Sequence, residues 1–207
     1  MSTRLTEITE ALRVEMDCQH SARERALADG RKIIQLSSKT IKSIHRREFD
    51  AASQLLAEVM SLTKESIAFL KQFPSLRHGA FIQDAVKEYV EAATLLAIIQ
   101  KTELPSRHDL GVEPQAYLNG LCEAASECRR FALDELRSGK PDEARRLADE
   151  MEDIYDELIT FDYPDALTSG LRRSVDALRA VLERTQSDLA VTGMQLELIR
   201  ELRESKS

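Results

Sequence analysis

The sequence predicts an all-α, single-domain helical bundle, and three observations carry that expectation. Helix breakers are scarce, with 7 glycines and 5 prolines spread thinly over 207 residues. The rest is rich in Ala, Leu, Glu, Arg and Lys, which lose little rotamer freedom in a helix. Between the breakers, apolar residues recur at helical spacing, and no β-type alternation lasts long enough to build a sheet. A hydrophobic content of 43% suffices for one sizeable core.

The first helix is expected from about Thr6 to Arg47, with Ile33, Ile34, Leu36, Ile41 and Ile44 as its apolar stripe and Gly30 as a candidate break. Asp50 opens a second, through Phe73, whose expected buried stripe is Leu55, Leu56, Val59, Leu62, Ile67 and Leu70. Pro74 separates it from a third, from about Arg77 to Lys101. Pro105, Gly111 and Pro114 make a loop of the following stretch, and a fourth helix runs from Glu113 to Ser138. Gly139 suits the left-handed position past a helix end, and Pro141 suits the first turn of the next helix. That fifth helix ends near Phe161, and a last one runs from about Asp165 to Arg203, with Gly170 and Gly193 as candidate interruptions. Roughly six or seven helices with short connections read as a bundle.

Several function classes lack their residues. No apolar run approaches the roughly 20 residues of a membrane span, so no membrane partner is expected. The stretch MSTRLTEITEALRVEM is amphipathic, unlike a secretory signal, which points to the cytoplasm. Cys18, Cys122 and Cys128 form no C-x-x-C pair, and the last two suit a core as small hydrophobes. A phosphate-binding glycine loop, a G-x-S-x-G elbow and an H-E-x-x-H pair are missing. None of His20, His45, His78 and His108 has a Glu three residues earlier, as a di-iron bundle requires. The net charge of −7 opposes broad electrostatic binding of nucleic acid but leaves room for a local basic surface inside an assembly.

Two helices carry acidic residues at suggestive positions. At about 100° per residue, Asp84, Glu88 and Glu91 fall within about 60° of one another. Glu88 borders the apolar stripe of Phe81, Ala85, Tyr89, Ala92, Leu96 and Ile99, and Leu95 continues its direction. Glu123, Glu127 and Arg130 share a similar arc, opposite Leu121, Ala125, Cys128 and Ala132. Facing each other, these arcs would bring carboxylates together, which is unfavourable unless a cation, a proton or an arginine compensates. An oxygen-only cluster suits Mg²⁺ or Mn²⁺. The same spacing, continued at Asp134, also describes a solvated stripe, and the residues alone leave both readings open.

KEYVEA (87–92), followed after a proline-containing loop by YLNGLCEAASECRR (117–130), resembles the translin family, and within it the translin-associated factor X branch. RKIIQLSSKTIKSIHRREFDAA (31–52) also looks like that family's first long helix and its turn into the second, and LAVTGMQLELIREL is a weaker match. The resemblance implies a seven-helix subunit that assembles into hollow octamers enclosing nucleic acid, and a metal-dependent endoribonuclease. It implies Glu88, Glu91 and Glu123 as catalytic residues and ligands of Mg²⁺ or Mn²⁺, with Glu127 supporting the ion and Arg130 closing the motif. Glu123 departs from the family's usual Asp and is one methylene longer; Ala125-Ser126 replaces the usual Thr-Gly. Arg77, His78, Lys87, Arg129 and Arg130 flank the acidic helices as candidate phosphate contacts, each also explicable as a surface charge. With Phe and Tyr totalling 10, many of them needed for the core, recognition would rest on phosphates and shape.

The leading expectation is therefore a single-stranded RNA endoribonuclease working as a homo-oligomer, alone or with a translin-like partner subunit. Its rivals are a non-catalytic oligomer binding RNA or single-stranded DNA, and a helical scaffold that binds proteins only.

Overall fold

The computed structural model describes residues 2–77 and 79–204. Among them the chain forms nine helices and no strand. Six are long: α1 (Ser2–His45), α2 (Phe49–Leu70), α4 (Ala80–Gln100), α6 (Pro114–Arg137), α7 (Pro141–Leu158) and α9 (Leu171–Glu204). Three are single turns in the connections: α3 (Pro74–Arg77), α5 (Arg107–Leu110) and α8 (Asp165–Thr168). The expected six or seven helices are thus the long set, while the short turns are too brief for periodicity to reveal.

Local chemistry sets the ends. Gly139 adopts φ 73° past α6, and Pro141 opens α7 where a missing N–H costs nothing. Ser169 and Gly170 both take positive φ, which breaks the last helical block in two at one of the expected glycines. At Gly30 and Gly193 the helices run on unbroken. Ser106 and Asp109 cap α5 reciprocally, Ser106 Oγ accepting from the Asp109 N–H and Asp109 accepting from the Ser106 N–H.

α4 is the axis of the bundle. It packs against α1, α2 and α6, and from Ala92 to Ile98 every residue is buried. On one side Ala26, Ile33, Leu36, Val59, Leu70, Ile82, Val86 and Tyr89 form a core between α1, α2 and α4. On the other, Leu95, Cys128, Phe131, Leu147, Met151, Leu171 and Leu178 join α4 to α6, α7 and α9. Each fully buried aliphatic or aromatic side chain contributes about 1.5–3 kcal/mol. Two stripes differ from expectation. Ile34 is exposed because α1 turns Ile33 and Leu36 inward instead. In α2 the fully buried line is Ala52, Val59, Thr63, Ser66 and Leu70, while Leu55, Leu56, Leu62 and Ile67 sit half-buried at its flank. Two small polar residues, Thr63 and Ser66, thus stand on the buried line of α2.

Two features fix α6. Asn119 is buried and fully satisfied: its Nδ2 donates to the Gln115 and Thr168 carbonyls, both at 2.8 Å, and its Oδ1 accepts from Ser174 Oγ at 2.7 Å. It ties α6 to α8 and α9. Gly120 lies against α4 so closely that a Cβ there would sit 2.6 Å from Val90 Cβ and 3.0 Å from the Lys87 carbonyl oxygen. Only glycine allows this approach.

Candidate metal centre and nucleic-acid interface

The α4–α6 crossing at Gly120 brings the two acidic arcs together. Lys87 and Val90, which press on Gly120, flank Glu88 and precede Glu91, while Glu123 lies one turn beyond the glycine. Carboxylate oxygens of Glu88, Glu91 and Glu123 consequently lie within 4.8 Å of one another, all on half-buried side chains. Asp84, one turn earlier on α4, is exposed and stands outside this triad.

Crowding is visible in the acidities. Burial first, then the charges of Glu123, Glu88 and Glu127, push the Glu91 carboxyl up to about 8, with Lys87 pulling the other way. Glu88 is raised for the same reasons, burial leading and Glu123 next. A carboxyl whose pKa is raised by folding stabilises the fold fully below its unfolded value, near 4.5, and loses that contribution as pH climbs through about 8. The metal-free protein in EDTA should therefore melt at a lower temperature at pH 8.5 than at pH 5.5. Glu91→Gln should flatten that slope in thermal melts across the range; an unchanged slope would place the strain elsewhere.

Glu127, the fourth expected ligand, takes a different partner. It shares a hydrogen bond with Nε2 of His45, whose ring stacks on Phe131 at 4.5 Å between centroids and is only 6% exposed. The His45 hydrogen bond, outweighing burial, holds the Glu127 carboxyl below its usual range, and the charges of His45 and Arg130 help. Glu127 therefore borders the triad, adding to the field on Glu91 while facing α1. His45 carries no helical-spacing signature that could have marked it; the 82-residue separation from Glu127 makes the pair invisible to local patterns.

The basic candidates are dispersed. Arg77 donates to Glu113 at 2.6 Å, and Arg129 donates to Thr185 at 3.1 Å and to Asp188 at 2.8 Å. Lys87 donates to Glu123 at 2.5 Å. Arg130 is exposed on α6 beside Glu127. His78 lies outside the described residues. Cysteine chemistry is disfavoured: burial pushes both the Cys122 and Cys128 thiols up to about 12, leaving almost no thiolate at neutral pH.

No protein-family model matches the chain. An uncharacterised protein of Methanocaldococcus jannaschii is 29% identical over 185 residues, 88% of this chain and 82% of that protein. The structure of an Archaeoglobus C3PO–duplex RNA complex superposes with a TM-score of 0.84 at 34% identity, covering 90% of this chain and 97% of that one. The chain belongs to the translin family. A second Archaeoglobus C3PO structure agrees, at TM-score 0.83 and 33% identity over the same shares. Apo C3PO of Neurospora shares the fold, at TM-score 0.81 and 24% identity over 89% of this chain and 96% of that one. In this translin-family chain the triad lies on α4 and α6. No helix among the described residues is long and apolar enough to cross a membrane.

Proposed function

We propose that this translin-family chain is a single-stranded RNA-binding homo-oligomer of the factor X type that cleaves phosphodiester bonds with Mg²⁺ or Mn²⁺ at Glu88, Glu91 and Glu123. The observation that carries the proposal is the triad itself: three carboxylates from two helices, closer together than their charges favour even with Lys87 beside Glu123. The donor set is oxygen-only, which fits a hard divalent ion. Such an ion supplies an activated water and neutralises charge on the phosphoryl oxygens.

The chain's own residues prepare the place. Gly120 sets the α4–α6 distance that lets Glu123 meet Glu88 and Glu91. His45 keeps Glu127 ionised, so its carboxylate stays an acceptor beside the triad. Arg130, exposed next to Glu127, is the basic candidate best placed to meet a phosphate. RNA binding is supported by the Archaeoglobus C3PO structure with duplex RNA. Assembly is supported by the apolar side chains left in solvent on the outlying turns of α1 and α9: Leu5, Ile8, Leu12 and Met16 on the first, Val191, Met194 and Leu198 on the second. An octamer, with or without a translin-like partner subunit, follows from the family resemblance.

A second reading, a binding oligomer without turnover, draws on the pairing of Glu123 with Lys87 and of Glu127 with His45, which gives both α6 carboxylates structural partners. Incubation of a labelled short single-stranded RNA with purified protein in Mg²⁺, Mn²⁺ or EDTA separates the two. Divalent-dependent cutting supports the first reading. Intact RNA that shifts on a gel supports the second, and absence of binding at low salt removes both.

A further inference from the structure

Among the described residues, the cation in direct contact with the triad is part of the chain. Lys87 Nζ lies 2.5 Å from Glu123 Oε1, on a side chain 25% exposed. Its backbone is pinned where α4 meets Gly120, so the ammonium is delivered to the triad by the same contact that assembles it. Burial opposes its charge, but the hydrogen bond and field of Glu123, with those of Glu88 and Asp84, keep it more firmly protonated than an ordinary lysine. In return Lys87 lowers the pKa of both Glu88 and Glu91.

We propose that Lys87 is a built-in counterion that occupies the cation seat of the triad and must release Glu123 before a divalent ion can load. The inference rests on the metal reading above. An ammonium in contact with Glu123 uses a lone pair that an incoming ion needs, and it opposes that ion with a like charge at contact range. A lysine suits this role. Its charge is compact and rides on four flexible methylenes, so it can detach without moving α4, whereas an arginine fork would hold on through two bonds. Once displaced, the ammonium remains tethered beside the triad, available to a phosphate oxygen. The triad would therefore load metal and gain a free cation in one event.

Mn²⁺ titration of the RNA-free protein, read as the loss of the free-ion EPR signal, tests this without reference to activity. Lys87→Gln should bind Mn²⁺ at least about tenfold more tightly than wild type, because one unit charge removed at contact range in a partly buried site outweighs a tenfold change. Lys87→Arg, which keeps the charge, should bind no more tightly than wild type. In a Glu123→Gln background the gain from Lys87→Gln should shrink, because the contact it relieves is gone. Far-UV circular dichroism verifies that each variant keeps its helices. If wild type binds Mn²⁺ and Lys87→Gln binds it equally or more weakly, the counterion role is overturned while the metal site stands. If neither protein takes up Mn²⁺, the metal reading falls and the counterion role falls with it.

Discussion

Replacing Glu88 or Glu123 by alanine is expected to abolish divalent-dependent cleavage of a short labelled RNA while leaving the RNA bound. Each substitution removes one of three oxygens that must act together, and metal sites are sensitive even to their outer partners, whose loss costs about 10–100-fold. Loss of a direct ligand should exceed the upper end of that range. Binding measured in EDTA should persist because neither residue is a cation, and deleting a negative charge near a phosphate path does not weaken attraction. Stability should hold or rise for Glu88→Ala, whose carboxyl is half-buried and crowded by like charges, and fall modestly for Glu123→Ala, which strips Lys87 of its partner. Glu123→Asp is the informative companion. It restores the residue usual in the factor X branch, and with the carboxylate retained it should still cleave. Unchanged cutting by both alanine variants would remove these residues from the chemistry.

Gly120→Val should lower stability by about 3 kcal/mol, the upper range for overpacking a tight core contact. A Cβ at this position meets Val90 Cβ at 2.6 Å and a backbone oxygen at 3.0 Å, and neither is the yielding end of a long side chain. α6 must therefore back away from α4. At roughly 2–4 °C per kcal/mol for a chain of this size, the melting point should fall by about 6–12 °C. The same displacement separates Glu123 from Glu88 and Glu91, so cleavage and Mn²⁺ uptake should drop together with stability. Gly193→Ala supplies the control. Nothing lies within 4 Å of a Cβ there, and alanine favours helix over glycine, so urea melts should show no loss and a gain of up to about 1 kcal/mol. A Gly120→Val protein as stable as wild type would mean that the crossing is looser than its geometry indicates.

The helices were legible because their punctuation is chemical and local. Pro74, Gly111, Gly139, Pro141 and Gly170 lie at or beside real ends, where a fixed or positive φ acts without help from distant residues. The triad was legible in part: helical angles put Glu88 with Glu91 and left open whether the Glu123 arc faces them, and the family resemblance joined the three. What stayed hidden depends on contacts across long stretches of chain. The His45–Glu127 pair, the Arg47–Glu135 pair and the Lys87–Glu123 pair join residues 82, 88 and 36 positions apart. The α2 stripe misled for a related reason. Leucines at helical spacing look like the buried face, yet Thr63 and Ser66 are fully buried while Leu55, Leu56 and Leu62 are half-buried, an outcome set by how α2 packs on its neighbours.

The first twenty or so residues of α1 stand clear of the bundle, the first fully buried side chain being Ala22. They extend roughly 30 Å at the rise of an α-helix. The packed half of α1 spares this stretch the cost of nucleation, but each exposed turn in water adds little, so its outer turns are marginal. Its order must be borrowed from whatever covers Leu5, Ile8 and Leu12. Helix content then becomes a function of protein concentration: mean residue ellipticity should fall on dilution before the core of the subunit melts. The chain would carry, in its own backbone signal, a gauge of whether it is alone.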